Sequence, residues 1–393
     1  MKLASNLLKK NLKYGFNSLN GIAYRSFATS TAESKDNPVL RGMKLQAEAE
    51  NHAEKLEFYD ALEKSVEAAE LTERAFGPTH AYTGEALMKT ADYYDILGYF
   101  EKAMSDAKQA VDILQEHKET HRPVYSTALS TYSKTLASGG LYKEALQIEN
   151  ESYQIRNDTF GPHNIQTVRS LCALGDRYRL VGDMQNATKI LNDCYEKSDQ
   201  YFDNKDIEKY LLHLSLAELY VDKKDYNLAH YHIDRILWSL KILNLKTHPL
   251  LGKIYNTLGE LELFDKDHQG AYDALQTSLK FYETVFEGHH PDCAMAMTLL
   301  ARYYLEKGDP NRAKKIQEDA LEMFKNFTAD ITHPQYSIMS LSLGFIKRQT
   351  TDKKGAQKLT EDSYNDLVTK LGADHPKSKY YAYAIENYTQ EPM

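Results

Sequence analysis

The residues best able to do chemistry in this chain are its fourteen histidines, because neutral imidazole is the commonest metal-binding side chain. Half of them, His80, His121, His163, His248, His290, His333 and His375, recur in steps of 41 to 43 residues, with one double step of 85 from His163 to His248. Side chains a full repeat apart cannot converge on one ion, so they read as structural. His117 and His121 stand one helical turn apart, but no cysteine or carboxylate motif completes a zinc site around them. His230 and His232 are too close along one helix to share a face. Neither a metal nor any other cofactor is assigned.

Other chemistries are equally thin. Phosphate-cradling loops of the G-x-x-x-x-G-K or G-x-G-x-x-G kind are absent, as is the G-x-S-x-G nucleophile elbow. Carboxylates are plentiful, and on helices they read as solvated faces. Cys172, Cys194 and Cys293 are too few and too scattered for a disulfide framework. No catalytic residue is assigned and no small-molecule ligand is expected.

What those histidines mark is a repeat. With Ala103 as the reference, small residues recur at Ala145, Ala187, Ala229, Ala271, Ala313 and Ala356, each 42 residues after the last except the final step of 43. A second register reads Ala91, Ser133, Gly175, Ala217, Gly259, Ala301 and Gly344, and a third Ala110, Ser152, Cys194, Ile236, Ser278, Ala320 and Ser363. Only Ile236 is bulky. Small residues at three fixed points of a two-helix unit let helix axes approach closely while larger neighbours fill the gaps. Units fall near 79–120, 121–162, 163–204, 205–247, 248–289, 290–332 and 333–374. Their joints carry His-Pro at His248-Pro249, His290-Pro291, His333-Pro334 and His375-Pro376, and proline in a first turn marks helix starts.

This pattern resembles the tetratricopeptide repeat, with its small residues at these places and a turn such as Gly98-Tyr99. The 42-residue period and joints such as Phe76-Gly77-Pro78-Thr79-His80, Phe160-Gly161-Pro162-His163, Gly288-His289-His290-Pro291 and Leu371-Gly372-Ala373-Asp374-His375-Pro376 resemble the kinesin-light-chain type of that repeat. The resemblance implies an all-α fold: a right-handed superhelical solenoid of about eight helix-turn-helix repeats with a C-terminal capping helix. It implies protein partners, which in that family commonly lie along the concave surface lined by each unit's first helix. The corresponding positions include Asp92, Lys134, Arg169, Asp176, Arg179, Glu218, Lys253, Asn256, Glu260, Arg302 and Arg348. A clamp for a partner's C-terminal carboxylate needs a basic, Asn-rich groove, and only Lys253 and Asn256 hint at one.

The expected organisation is a targeting segment at 1–32, a linker at 33–42, a solenoid at 43–376 and a capping helix with tail at 377–393. The first unit, 43–78, reads as degenerate, because matching Phe58-Tyr59-Asp60-Ala61-Leu62 to Tyr99-Phe100-Glu101-Lys102-Ala103 puts Leu62 in place of the alanine. The unit from 205 departs too, with Lys205 at the histidine position, Lys224-Asp225 at the turn and Ile236 beside Trp238, the only tryptophan; altered packing is expected there. The continuous period predicts one elongated solenoid. Tyr94, Tyr178, Tyr220 and Tyr304 share a repeat position and read as packing residues whose hydroxyls reach a partner.

Residues 1–32 hold Lys2, Lys9, Lys10, Lys13 and Arg25, no acid, and Leu3, Leu7, Leu8 and Leu12 at helical spacing. That is the composition of a mitochondrial transit peptide, with Arg25-Ser26-Phe27-Ala28-Thr29 resembling a processing site. Removing those five cations takes the formal charge from −8 to −13, which disfavours nucleic acid as a partner. No run of about 18 apolar residues exists, so no transmembrane segment is expected. The functional expectation is a non-catalytic scaffold in mitochondria, in the matrix or on the matrix face of the inner membrane, serving as assembly factor or accessory subunit of a larger complex. The alternatives are a cargo adaptor like the kinesin light chains, which carry a heptad coiled coil missing ahead of the repeats here, and an organelle RNA-associated factor.

Overall fold

Each period supplies two helical stretches and a turn that needs one residue at positive φ, supplied at Leu56, Gly98, Gly140, Gly182, Lys224, Lys266 and Gly308. The computed structural model describes residues 38–203, 206–243, 250–328, 333–350 and 353–390. Among them are α1 (Pro38–Glu54), α2 (Phe58–Phe76), α3 (Ala81–Ile96), α4 (Phe100–Glu116), α5 (Arg122–Ser138), α6 (Tyr142–Phe160), α7 (Ile165–Leu180), α8 (Met184–Tyr201) and α9 (Ile207–Asp222). There follow α10 (Tyr226–Ile242), α11 (Leu251–Phe264), α12 (His268–Phe286), α13 (Pro291–Glu306), α14 (Pro310–Lys325), α15 (Pro334–Arg348), α16 (Lys353–Leu371) and α17 (Pro376–Gln390). Consecutive helices pack in pairs, α1 with α2 through α15 with α16, and α17 closes the array. No described helix is long and apolar enough to cross a membrane.

Helix starts are written into the period. Asp183, Asp225, Asp267 and Asp309 cap α8, α10, α12 and α14 by accepting hydrogen bonds from backbone N–H groups of the first turn. Four of the joint histidines cap first helices in the same way, whereas His121 makes no such bond and Asn164 caps α7. Nδ1 of His80, His290, His333 and His375 accepts from the N–H two residues on, at 3.0 to 3.2 Å. The joint at His248-Pro249, together with Lys205 and Thr332, lies outside the described residues.

The three small-residue registers sit where helices cross. Ala91, Ala103 and Ala110 are fully buried, as are Ala217 with Ala229 and Ala301 with Ala313 and Ala320. Serines at these points hide their hydroxyls by donating to carbonyls of the facing helix: Ser133 to Ala145, Ser152 to Ser126 and Ser278 to Gly252. Ile236, the bulky exception, is fully buried in the largest apolar cluster, which joins Leu212, Leu216, Leu219, Ile233 and Ile254 across α9 to α11. A buried imidazole pair, His213 Nδ1 to His232 Nδ1 at 2.9 Å, interrupts that core. Burial lowers both pKa values, to about 3 and about 4.

Two expectations about the N-terminal part fail. Ala49, Ala61 and Ala68 are 0, 0 and 2% exposed and stand one period before Ala91, Ala103 and Ala110. Phe58 therefore corresponds to Phe100, not Tyr99, and the first unit is regular; aromatic likeness had pulled the match one residue out of register. Only its turn differs, with Leu56 at φ 64° where Gly98 has φ 78°. Lys224 and Lys266 fill the same position at φ 62° and 64°. The linker expected at 33–42 is likewise too long, since α1 begins at Pro38, where proline suits a helix's first turn.

The elongated shape is also corrected. The solenoid coils tightly enough that one turn of the superhelix touches the next, between four and five repeats later. His290 Nε2 meets the carbonyl oxygen of Ile96, His333 Nε2 that of Ser138, and His375 Nε2 that of Leu180, at 3.0 to 3.1 Å and across 194 or 195 residues. With Nδ1 accepting from the cap N–H, the tautomer is fixed and Nε2–H donates. Around these bonds Phe58 stacks on Phe286, Phe100 and Tyr142 flank His333, and Lys224 lies over the Tyr380 ring. A Cβ on Gly98 would stand 2.4 Å from Pro291, and one on Gly140 2.5 Å from Pro334. Positive φ and missing bulk are needed together at these two turns. The joint that opens the closing helix α17 thus meets the C-terminal end of α7, while the helix packs on the last pair.

Two variants test this packing. A Cβ at Gly259 would fall 2.7 Å from Leu275, so Gly259→Leu should cost about 1–3 kcal/mol in chemical denaturation; a parental midpoint would place the crossing elsewhere. Changing His290, His333 and His375 together to Ala should leave far-ultraviolet helix content intact and raise the radius of gyration in small-angle scattering. Burial depresses these imidazoles, His333 from 6.5 to about 4, so the seam holds above the ordinary histidine value and weakens as pH falls towards 4. An unchanged radius in the triple variant would remove the seam from the account.

Candidate functional site

Because turns of the coil touch, the concave face encloses a channel of about 1390 Å³. Its wall is built mainly from the first helices α5, α7, α9, α11, α13 and α15, whose inward residues recur once per period. Lys134, Arg169, Asp176, Arg179, Glu218, Lys253, Asn256, Glu260 and Arg302 line it, whereas Asp92 and Arg348 lie beyond the lining.

The predicted groove residues are brought together, but largely to one another. Lys134 bridges Asp92 at 3.0 Å and Asp95 at 3.1 Å, joining α5 to α3. Arg169 on α7 pairs with Glu208 on α9 at 3.0 Å. Arg179, 7% exposed, holds Asp176 at 2.9 Å, Glu218 at 2.7 Å and Asp222 at 3.2 Å. Glu218 passes the chain of charge to Lys253 on α11 at 3.0 Å. Asn256 donates to the Asp292 carbonyl and accepts from Ser278. Arg302 donates to Glu306 and covers the Phe264 ring. The charges thus form a relay between consecutive first helices.

The protonation states follow from that relay. Burial alone would raise the Asp176 carboxyl, but Arg179, Arg177 and Lys253 outweigh it and hold the pKa at about 2. Glu218 is likewise lowered, with Lys253 and Arg179 overcoming its burial. Glu260 belongs to none of the ion pairs described here. Burial pushes its carboxyl up, against the pull of Lys377 and Arg302.

Sequence reasoning missed Glu208, Asp222, Tyr142 and Tyr381, all of which line the channel. Tyr142 had a readable signal, since it follows a turn as Phe100 and Tyr226 do at equivalent repeat positions. Its inward place depends on the coil's closure, however, which no local pattern encodes. Of the shared-position tyrosines, Tyr220 donates to Asn192 at 3.1 Å, and cations lie over Tyr94, Tyr220 and Tyr304. Among the described residues, His52, Glu57 and Asp60 form one three-ligand cluster at the turn between α1 and α2, with a hydrogen bond of 2.7 Å between His52 and Glu57.

Replacing Arg179 with Ala should leave Asp176, Glu218 and Asp222 facing each other and destabilise the chain by roughly 3–5 kcal/mol near pH 7. The deficit should shrink at about pH 4.5, because protonated carboxyls no longer repel. Denaturation curves at the two pH values check both parts; an equal deficit at both would deny the relay.

Residues 119–200 and 250–326 match the family described as Tetratricopeptide repeat. No curated protein matches the chain. Among solved structures, the apo form of RapI aligns at 14% identity over 72% of this chain and 97% of its own, with a TM-score of 0.52. The APC/C hetero-tetramer Cut9-Hcn1 aligns at 13% identity over 87% of this chain and 55% of that one, with a TM-score of 0.50. A Podosopora anserina protein of nearly identical TPR-like repeats, described as a kinesin light chain, aligns at 14% identity over 54% of this chain and 100% of its own, with a TM-score of 0.42. The two matched segments and the stacked helix pairs support a tetratricopeptide-repeat protein, a fold that suggests a scaffold for protein–protein interaction.

Proposed function

We propose that this chain is a non-catalytic scaffold of mitochondria that holds a polypeptide segment in its channel, as an assembly factor or accessory subunit of a larger complex. The channel carries this reading. Its volume of about 1390 Å³ exceeds the roughly 300–1,000 Å³ of small-molecule sites, and its wall alternates Leu211, Phe264, Leu299 and Phe345 with the charge relay. Such a lining suits an extended segment with apolar side chains. Since the wall's other charges are largely matched internally, Glu260 is where a basic side chain of the partner gains most.

The organelle rests on the N-terminal composition alone. Residues 1–37 lie outside the described residues, and the acid-free, basic, amphipathic stretch at 1–32 supports import.

Uptake of the full chain and of a 1–32 deletion by isolated mitochondria tests the location. Uptake of the parent and its loss in the deletion are expected, and normal uptake of the deletion would refute it. Native-size fractionation of the tagged chain from gently solubilised mitochondria tests the scaffold role. Co-migration in a larger assembly that Glu260→Lys disperses is expected, and migration of the parent as a lone monomer would count against it.

A further inference from the structure

The outer face of α10 is built unlike that of its neighbours. Leu228, Tyr231, Trp238 and Ile242 are 40, 45, 55 and 60% exposed, and they are among the largest apolar side chains left open to solvent. One period earlier, the last three correspond to Lys189, Glu196 and Gln200; one period later, to Asp273, Lys280 and Thr284, all exposed. The fold therefore accepts charge at these positions, and the apolar residues of α10 are not there to hold the solenoid together.

Their spacing identifies what they suit. Leu228, Tyr231, Arg235, Trp238 and Ile242 follow one another by three, four, three and four residues, the a/d seam of a heptad helix. The inward positions Ala229, Ile233, Ile236 and Leu240 form a separate buried stripe, so this helix has two apolar faces and, among the described residues, only one is covered. Tyr195 of α8 widens the outer face by bonding Tyr231, hydroxyl to hydroxyl, at 2.8 Å. Tryptophan and tyrosine at the centre of such a patch are the side chains that anchor interfaces.

Arg235 supplies the selectivity. It stands at the middle of the seam, its guanidinium 5.4 Å from the centre of the Trp238 ring. A two-fold antiparallel pairing of this face with a second copy would set Arg235 against Arg235, a like-charge contact at the core of the interface. A different chain carrying a carboxylate there would instead meet a matched charge. We propose that the outer face of α10 docks an amphipathic helix of another protein, packed along the Leu228–Ile242 seam, with one Asp or Glu of that helix opposite Arg235. This surface is independent of the channel and stands or falls separately from it.

The sole tryptophan lies on the seam, so its emission, excited selectively over that of the tyrosines, reports on this site alone. The probes are two Trp-free peptides of about three heptads with leucine at the a and d positions, identical except for Glu or Lys at the central a position. The Glu peptide should shift Trp238 emission to shorter wavelength in a saturable way and bind roughly tenfold or more tightly than the Lys peptide. Arg235→Glu should reverse that order, and Ile242→Glu should abolish binding of both, with far-ultraviolet circular dichroism unchanged in each variant. No shift with either peptide, equal affinity for both, or an order that Arg235→Glu leaves intact would overturn the proposal. So would an emission shift with protein concentration alone, which would make a second copy the occupant. Binding of a 1–32 peptide of this chain as tight as that of the Glu peptide would overturn it as well, placing the cover within the same chain.

Discussion

Everything in this molecule depends on how closely helices can approach at the three small-residue crossings of each unit. Alanines at 61, 103, 145, 187, 229, 271 and 313 leave no exposed surface, and Ser133, Ser152 and Ser278 hide their hydroxyls against a facing carbonyl. Close approach sets the inclination of each pair on the next, and repeated inclination sets the coil. From the coil follow the contacts between its turns and the channel they enclose.

The channel's electrostatics show why the first helices carry charge at all. Each lies beside the next, and salt bridges such as Lys134 to Asp92 and Arg179 to Glu218 connect them where apolar packing is thin. Ion pairs this sheltered are poor sources of net stability but strict about geometry, because breaking one strands its partner. The relay therefore reads as a device that fixes the pitch of the coil.

Much of this was legible in the sequence, for a physical reason. A repeat places the same demand on the chain every 42 residues, so the small crossings, the capping residues and the joint histidines announce themselves by recurrence. What did not recur could not be read. The groove positions lie on first helices, yet the bonds from Lys134 to Asp92, Arg179 to Glu218 and Lys253 to Glu218 join residues 35 to 42 apart and depend on the angle between units. Position 58 misleads because two adjacent aromatics outweigh the strict period that Ala61 keeps. The joint histidines read as structural from their spacing, but their second task, bonding a carbonyl almost half the chain away, follows from the summed rotation of several units.

That second task alters how the chain must fold. A solenoid ordinarily has only neighbour-to-neighbour contacts, so its units fold and fray from the ends almost like beads on a line. Here the imidazoles of His290, His333 and His375 bond backbone 194 or 195 residues earlier, and the chain acquires long-range closure. Loop-closure entropy must be met before those bonds form, which makes assembly of the coil a late event after its units are in place. Once closed, the early and late units support one another, so damage near the C-terminus is felt by helices at the start of the array.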